Sequence, residues 1–332
     1  AEGEDPLTFF ELLTVLAFVA FADAPVDVAV VEVGMGGSWD STNTADGDVA
    51  VLTPVGMDHA DRLGETPAEI ATVKAGIVKD GALVVSARQD TEVEAVIRAT
   101  ATARGARVAF EGREFALTEA RLAVGGQQLT VQGLAGRYEG AYLPVYGSHQ
   151  GRNAALAIAA VEMLLGAGGR AIAEDVLAEA LTVVTSPGRL QLLGTAPTVL
   201  VDAAHNPHGA AALATALRES FAFEEWGVVL GVLADKDAAG IVAALAPIAT
   251  RVFVTAPASD RAGDPDALAD LAEAAGLDVT VHGDLPTAAD EARAWAVESA
   301  QRAVVIAGSV VLAGEAIAVS VAEGWKRGGA DA

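Results

Sequence analysis

The sequence predicts an α/β protein of two domains, each built on a largely parallel sheet covered on both faces. Three observations carry this. Valine-rich runs of strand length alternate with alanine-rich stretches of helical length, the pattern of crossover-connected parallel strands. After Ser186-Pro187-Gly188-Arg189 that alternation becomes regular up to Glu323. The chain has 332 residues, of which 52% are hydrophobic, enough for two cores of ordinary size. The boundary is placed at the Ser-Pro-Gly-Arg break, giving domains 1–185 and 186–332.

Thr8 and Glu11 form a Thr-x-x-Glu capping box ahead of an apolar helix that ends near Asp23. Pro25 leads into a strand over Asp27–Val33, which runs into Glu32-Val-Gly-Met-Gly-Gly. A second strand covers Val49–Pro54, Pro67 starts a helix through Val78, and Ala82–Ser86 is another strand. Val108–Val145 differs: Gly125-Gly126 turns a β-hairpin, and Tyr142–Tyr146 reads as one more strand. Helices follow from His149 to about Leu165 and over Ala173–Val183.

In the second domain the strands are Thr198–Asp202, Trp226–Leu233, Arg251–Thr255, Asp278–His282 and Ala303–Gly308. The helices between and after them are Gly209–Ser220, Ala238–Ile248, Pro265–Ala275, Thr287–Ala300 and Leu312–Glu323. This is a doubly wound domain of five or six strands.

The formal charge of −24 disfavours nucleic acid and anionic membrane as partners, since neither steering nor counterion release would help. With no cysteine, disulfides, thiolate metal sites and thiol catalysis are excluded. No signal peptide is visible, and the apolar stretch Leu12–Ala22 is too short to span a bilayer. A cytoplasmic monomer is expected.

The residues that carry chemistry cluster just after strands, where open α/β sheets bind ligands. Glu32, Gly34, Gly36, Gly37, Asp40, Thr42 and Asn43 form the first cluster. Its Gly-x-Gly-Gly spacing is not the Gly-x-Gly-x-x-Gly of a dinucleotide loop, and no helix opens directly after it. Glu32 is placed to hold Mg²⁺ directly or through water, or else it is a solvated strand-end acid. Asp58-His59 follows the next strand, so Glu32 and His59 can point at one crevice, although an Asp-His pair alone reads as a hydrogen-bonded loop. Lys74 lies in a helix and by itself reads as a surface lysine. His149-Gln150-Gly-Arg152-Asn153 opens a helix, where free N–H groups suit an anion, although capping explains them equally. Arg189 sits at the hinge, and Asp202-Ala-Ala-His205-Asn206-Pro207 packs more polar groups into a strand–helix turn than a cap requires. Asp235-Lys236-Asp237 and Gly308-Ser309 occupy the same edge.

These segments, taken together and in order, resemble the folylpolyglutamate synthase/dihydrofolate synthase family of the Mur ligase superfamily, in its actinobacterial form. The matching stretches are Thr8-x-Phe10-Glu11, Glu32-x-Gly-x-Gly-Gly-x-x-Asp40-x-Thr-Asn43, Asp58-His59, Lys74-Ala-Gly-Ile, His149-Gln150-x-x-Asn153, Ser186-Pro-Gly-Arg189, Asp202-Ala-Ala-His205-Asn206-Pro207, Asp235-Lys236-Asp237 and Gly308-Ser309. The resemblance implies a central P-loop-type ATPase domain with a β-hairpin insertion, followed by a Rossmann-like glutamate-ligase domain. It implies Glu32 and His59 as Mg²⁺ ligands and Lys74 as the lysine carbamylated in this superfamily. Asn153, Arg189 and Asp202 become ATP contacts, and His205 and Ser309 lie near the incoming glutamate; Lys74, Asp202 and His205 form the catalytic set. ATP and Mg²⁺ are the implied cofactors, with a monovalent cation such as K⁺. Folate or dihydropteroate and L-glutamate are the implied substrates. ATP phosphorylates the terminal carboxylate, the glutamate amine attacks the acyl phosphate, and phosphate leaves while closure of the domains excludes water.

The sequence departs from the family in three places. No Gly-Lys pair occurs, so the nucleotide loop of the form Gly-Thr-x-Gly-Lys-Ser/Thr is absent, and the chain reads as lacking that amino-terminal part and as inactive by itself. Ser38 stands where arginine is usual, and Val73 where an acid is common. The competing readings are another Mur-type amino acid ligase, a nicotinamide-dependent oxidoreductase, and a non-catalytic or degenerate module.

Overall fold

A computed structural model describes residues 7–57 and 60–325. It divides into two compact units. One comprises the residues up to Ala120, Leu129–Ala141 and Gly151–Ala178; the other comprises Arg121–Gln128, Tyr142–Gln150 and the residues from Glu179 onward.

In the first unit, α1 (Phe9–Asp23) is opened by the expected capping box: Glu11 N–H donates to Thr8 Oγ1 at 3.2 Å, and Thr8 N–H to the Glu11 carboxylate at 2.8 Å. Next come β1 (Val49–Leu52), the short α2 (Ala60–Leu63) and α3 (Pro67–Lys74), which has a second capping box from Thr66 and Glu69. A 3-10 turn over Ala75–Ile77 replaces the last turn expected of that helix. β2 (Leu83–Ser86), α4 (Thr91–Ala103) and β3 (Arg107–Phe110) complete a parallel sheet of order β1-β2-β3. α4 lays Val93 and Ile97 against a core containing Ile70, Val84 and Phe110, with Ala101 buried on the same face. This spacing of four puts all three on one helical face.

Asp27–Val33, expected as a strand, is not one. The segment has no ladder partner among the described residues, and Val28 and Val30 are exposed, the latter by 94%. A strand needs neighbours for its backbone groups, and an apolar run alone does not provide them.

β4 (Ala116–Ala123), β5 (Gly126–Gln132) and β6 (Arg137–Leu143) form a three-stranded sheet in that order, extending the expected hairpin. The final strand starts and ends earlier than its apolar residues suggested. α5 (Ser148–Gly166) and α6 (Glu174–Thr182) follow. Glu162 on α5 is fully buried, yet its carboxylate accepts from Leu134 N–H at 2.5 Å, Gly136 N–H at 3.0 Å and Tyr138 O–H at 2.7 Å. Such a buried carboxylate is tolerable because its lone pairs are met.

Burial, together with the hydrogen bond donated to Glu162, pushes the Tyr138 hydroxyl up to about 12. Because the folded value lies above the unfolded one near 10, Tyr138 contributes stability that is present below that value and lost as pH rises through about 12. In a spectrophotometric titration one tyrosine should ionise only near that upper limit, and Tyr138→Phe should remove this late step. A titration finished by pH 11 would contradict the buried pair.

The second unit holds β7 (Gln191–Thr195), β8 (Thr198–Val201), α7 (Pro207–Ser220), β9 (Glu225–Leu230), α8 (Ala238–Leu245) and β10 (Ala249–Val254). It continues with α9 (Pro265–Ala274), β11 (Asp278–Val281), α10 (Leu285–Val297), β12 (Arg302–Ala307) and α11 (Val310–Ala322). The sheet has six strands in the order β11-β10-β9-β12-β8-β7, all parallel except β7. Strand residues alternate between two cores. Leu200, Ala303 and Val305 pack with α7, α8 and α9; Val199, Val201, Val304 and Ile306 pack with α10 and α11. β12 lies between β8 and β9, and its following helix leaves on the face opposite to theirs. The carboxyl ends of these three strands therefore form a switch-point crevice.

Candidate active site

In the first unit the glycine loop folds against the end of α3. Ser38 N–H donates to Val73 O at 3.0 Å. Gly37 lies so close that a Cβ would sit 2.7 Å from Val73 O and 2.8 Å from Lys74 O, so only glycine fits without movement. Asp40 caps the turn Ser41–Thr44 and ties the loop together, accepting from Met35 N–H at 2.9 Å, Thr42 N–H at 2.9 Å and Thr42 O–H at 2.5 Å. Its burial works against the charge, but these hydrogen bonds, first that of the Thr42 hydroxyl, hold its carboxyl below the usual range. Asn43 Nδ2 donates to Ser38 O and Gly76 O, while Lys79 Nζ donates to Asn43 O at 2.6 Å. The loop of Glu32 and the segment of Lys74 are thus one assembly, with Lys74 partly buried at the helix end.

Glu32 itself is exposed and does not end a ladder strand. His59 lies outside the described residues. Among the described residues no three His, Asp or Glu side chains converge as a metal cage. Mg²⁺ does not require one: it keeps several waters and takes one or two carboxylates plus phosphate oxygens. The open carboxylate of Glu32 fits that donor chemistry.

The second unit gathers Arg189, Asp202, His205 and Ser309 around its crevice. The turn Ser186–Leu190 is held by Arg189 N–H to Ser186 O at 3.0 Å, and by Ala203 N–H to Gly188 O at 2.7 Å. Leu190 sits at φ +43°, a left-handed conformation that costs a side-chain-bearing residue about 1 kcal/mol or more. The strained turn aims Leu190 N–H at Asp202 Oδ2, 2.8 Å away, while Ala204 N–H meets Oδ1 at 2.8 Å. Burial nevertheless raises the Asp202 carboxyl above its ordinary value, against these two bonds and the charges of Arg189 and His149. His149, on the first turn of α5, is the smallest of these influences.

His205 Nδ1 lies 2.9 Å from Ala203 O. A carbonyl only accepts, so Nδ1 carries the proton and Nε2 of the neutral ring offers a lone pair. Asn206 caps α7 through Gly209 N–H at 2.7 Å, with Pro207 in the first turn. Ser309 is fully buried and caps α11, accepting Leu312 N–H at 2.9 Å, which leaves its own proton to donate. Asp237 caps α8, and Asp235 pairs with Arg261 at 2.7 Å and Lys236 at 3.3 Å. Arg261 and the Leu190 N–H escaped the sequence reading. Arg261 follows β10 on the same edge and was legible by position, whereas a backbone donor has no letter of its own.

Asn153 stands exposed in α5. A recess of about 830 Å³, lined by Asp46, Asp48, Lys79, Asp80 and Arg104, opens at the opposite, amino-terminal ends of β1 and β2 and holds none of the expected site residues. No described helix is long and apolar enough to cross a membrane.

Comparison with known proteins gives two family matches, the Mur ligase middle domain over residues 2–161 and the Mur ligase glutamate ligase domain over residues 188–310. A dihydrofolate synthase/folylpolyglutamate synthase of Mycobacterium tuberculosis is 47% identical over 335 residues, covering 95% of this chain and 69% of the relative. The crystal structure of Mycobacterium tuberculosis folylpolyglutamate synthase complexed with ADP and AMPPCP superimposes with a TM-score of 0.89 at 46% identity, covering 95% of this chain and 73% of that one. That of Escherichia coli FolC in complex with DHPP and ADP gives 0.82 at 29% identity, covering 97% and 73%.

Proposed function

The chain belongs to the Mur ligase family, in its folylpolyglutamate synthase/dihydrofolate synthase branch, and from that premise we propose that it serves ATP-dependent ligation of L-glutamate to the terminal carboxylate of a folate. One observation in the structure carries the reading furthest: Asp202, His205 and Ser309 stand at the carboxyl ends of neighbouring strands β8 and β12, with Arg189 beside Asp202. The solved relatives bound to ADP and AMPPCP support a nucleotide as one ligand.

The proposed roles follow from each group's chemistry. The lone pairs of Asp202 not used by Leu190 and Ala204 accept from nucleotide hydroxyls, and the exposed Arg189 guanidinium answers phosphate charge. Asn153 offers an amide to the nucleotide. Glu32, with His59, would hold Mg²⁺, which when bound neutralises phosphate charge. Lys74, as a carbamate, would add an anion at the loop that Gly37 packs against. The substrate carboxylate takes the phosphoryl group, the glutamate amine displaces phosphate, and His205 Nε2 receives the proton that the amine must lose. Ser309, buried as the cap of α11, fixes the amino end of that helix, where the dipole favours the glutamate carboxylate.

A second activity, joining dihydropteroate to glutamate, is supported by the double name of the Mycobacterium tuberculosis relative. The net charge of −24 favours a protein without nucleic acid or membrane partners, and we place it in the cytoplasm as a monomer. A monovalent cation such as K⁺ belongs to the same proposal, on the family resemblance. The deciding experiment measures glutamate-dependent phosphate release by the purified protein with tetrahydrofolate, dihydropteroate or UDP-muramoyl substrates. Stimulation by a pteridine substrate alone is expected. Stimulation by a UDP-muramoyl substrate instead would move the protein to the cell-wall branch.

A further inference from the structure

We propose that Arg261 and Lys236 receive the side-chain carboxylate of the incoming glutamate, forming a specificity subsite on the crevice of the second unit. The inference rests on the ligase reading above and deepens it. Ligation through the α-amine leaves both carboxylates of glutamate as anions, and a chain of net charge −24 must meet them with cations placed locally. The amino end of α11 answers one carboxylate, and Arg189 answers phosphate. Asp235-Lys236-Asp237 and Arg261 occupy the same strand edge and have no part in those roles.

Direct contacts tie the turns after β8, β9, β10 and β12 together. Gly308 N–H donates to Ala204 O at 2.9 Å, and a Cβ on Gly308 would lie 2.5 Å from Gly231 O, so the turn carrying Ser309 fits between those after β8 and β9. A Cβ on Gly240, in the first turn of α8, would lie 2.5 Å from Pro207 Cγ, which sets the start of that helix against the turn of His205. The turn after β10 is laced to the one after β9: Ala234 N–H donates to Arg261 O at 2.9 Å, and Gly263 N–H to Val232 O at 2.8 Å. It also leans on α11, where Ala258 N–H donates to Glu315 Oε1 at 2.7 Å.

Within that frame Asp235 joins the two cations. Its Oδ1 accepts from Arg261 Nη2 at 2.7 Å, and its Oδ2 lies 3.3 Å from Lys236 Nζ. The Arg261 hydrogen bond, ahead of the other influences, holds the Asp235 carboxyl below its usual range, so the acid stays ionised. Two cations on one carboxylate leave a net positive charge, and the bond to Asp235 uses one of the five N–H donors of the exposed guanidinium. Nearby acids face backbone donors: Asp237 that of Gly240, Asp264 that of Asp266 and Glu315 that of Ala258. The backbone bonds already fix both turns, and a surface ion pair adds little to that. A second carboxylate is the group this fork and ammonium are suited to bind.

The test titrates the purified protein with L-glutamate and, separately, with L-glutamine, whose side-chain amide carries no charge, and follows binding by nuclear magnetic resonance. Arg261→Gln and Lys236→Gln should each raise the glutamate Kd by on the order of tenfold, the loss of one charge-assisted contact, and leave the glutamine Kd within about twofold. Arg261→Lys keeps the charge without the fork, so it should bind glutamate more weakly than the parent and still prefer it to glutamine. In turnover the two glutamine variants should raise the KM for glutamate and spare that for ATP, with the Tm unchanged. A glutamate Kd unmoved in both variants, or glutamate and glutamine weakening together, overturns the subsite. Glutamate-dependent phosphate release with an unchanged glutamate KM in both variants overturns the subsite and leaves the ligase reading standing. If the unaltered protein neither binds L-glutamate nor releases phosphate in its presence, the ligase reading falls, and the subsite with it.

Discussion

Replacing Glu32 with glutamine is expected to lower Mg²⁺-dependent glutamate ligation by on the order of 100-fold or more, the scale on which losing one placed electrostatic group acts at a reacting centre. The change is nearly isosteric and removes only the charge. Glu32 is exposed and lies outside every helix and ladder, so the fold should not register the loss; surface changes of this kind stay within about 0.5 kcal/mol. The expected signature is an unchanged Tm with a higher Mg²⁺ requirement and a collapsed kcat. Turnover within twofold of the unaltered enzyme would make Glu32 an ordinary solvated acid.

Asp202→Asn should act on both stability and affinity. Asparagine brings one acceptor oxygen to a position where Leu190 N–H and Ala204 N–H each need one. Its amide would oppose one of those donors, at a cost of about 1–3 kcal/mol. ADP affinity should fall by on the order of tenfold, as one charge-assisted contact of about 1.4 kcal/mol is lost. The pH dependence provides an internal check. Burial first, against its hydrogen bonds and neighbouring cations, places the folded value of Asp202 above the unfolded one. The folded state therefore binds this proton more tightly. The resulting stability is fully present below the unfolded value near 3.9 and is lost as pH rises through the folded value. Asparagine has no such dependence, so the Tm gap between variant and parent should widen toward acid. A gap constant across that range would contradict the raised carboxyl.

Much of the second unit was legible because each helix announces itself: Asn206-Pro207, Asp264-Pro265 and Asp284 each precede a helix and cap it in the structure. The crevice residues were legible for a related reason, since strand ends in open sheets are where polar groups gather. α4 carries little signal in the sequence because Thr91–Ala103 mixes threonines and charges with only a few apolar anchors, and those anchors matter only once a core exists to receive them. β7 stands outside the strand–helix alternation because it returns antiparallel in a domain whose pattern is parallel. The start of β6, Arg137–Gly140, is polar and gave no period-two signal. Asp27–Val33 failed in the opposite sense: valine content reports a tendency to be buried, and pairing depends on what stands alongside.

The order of strands in the second unit also governs when that unit can exist during synthesis. β12 is the last of the six strands of this sheet to leave the ribosome and yet occupies its middle, flanked by β8 and β9. Until Arg302–Ala307 emerges, β8 with β7 and β9 with β10 and β11 are two half-sheets with facing open edges, apolar and mutually adhesive. Assembly must wait for a contact more than 100 residues long in sequence, between Val199 and Val304. The crevice for the proposed nucleotide and glutamate chemistry is accordingly absent from any nascent chain shorter than that closing strand.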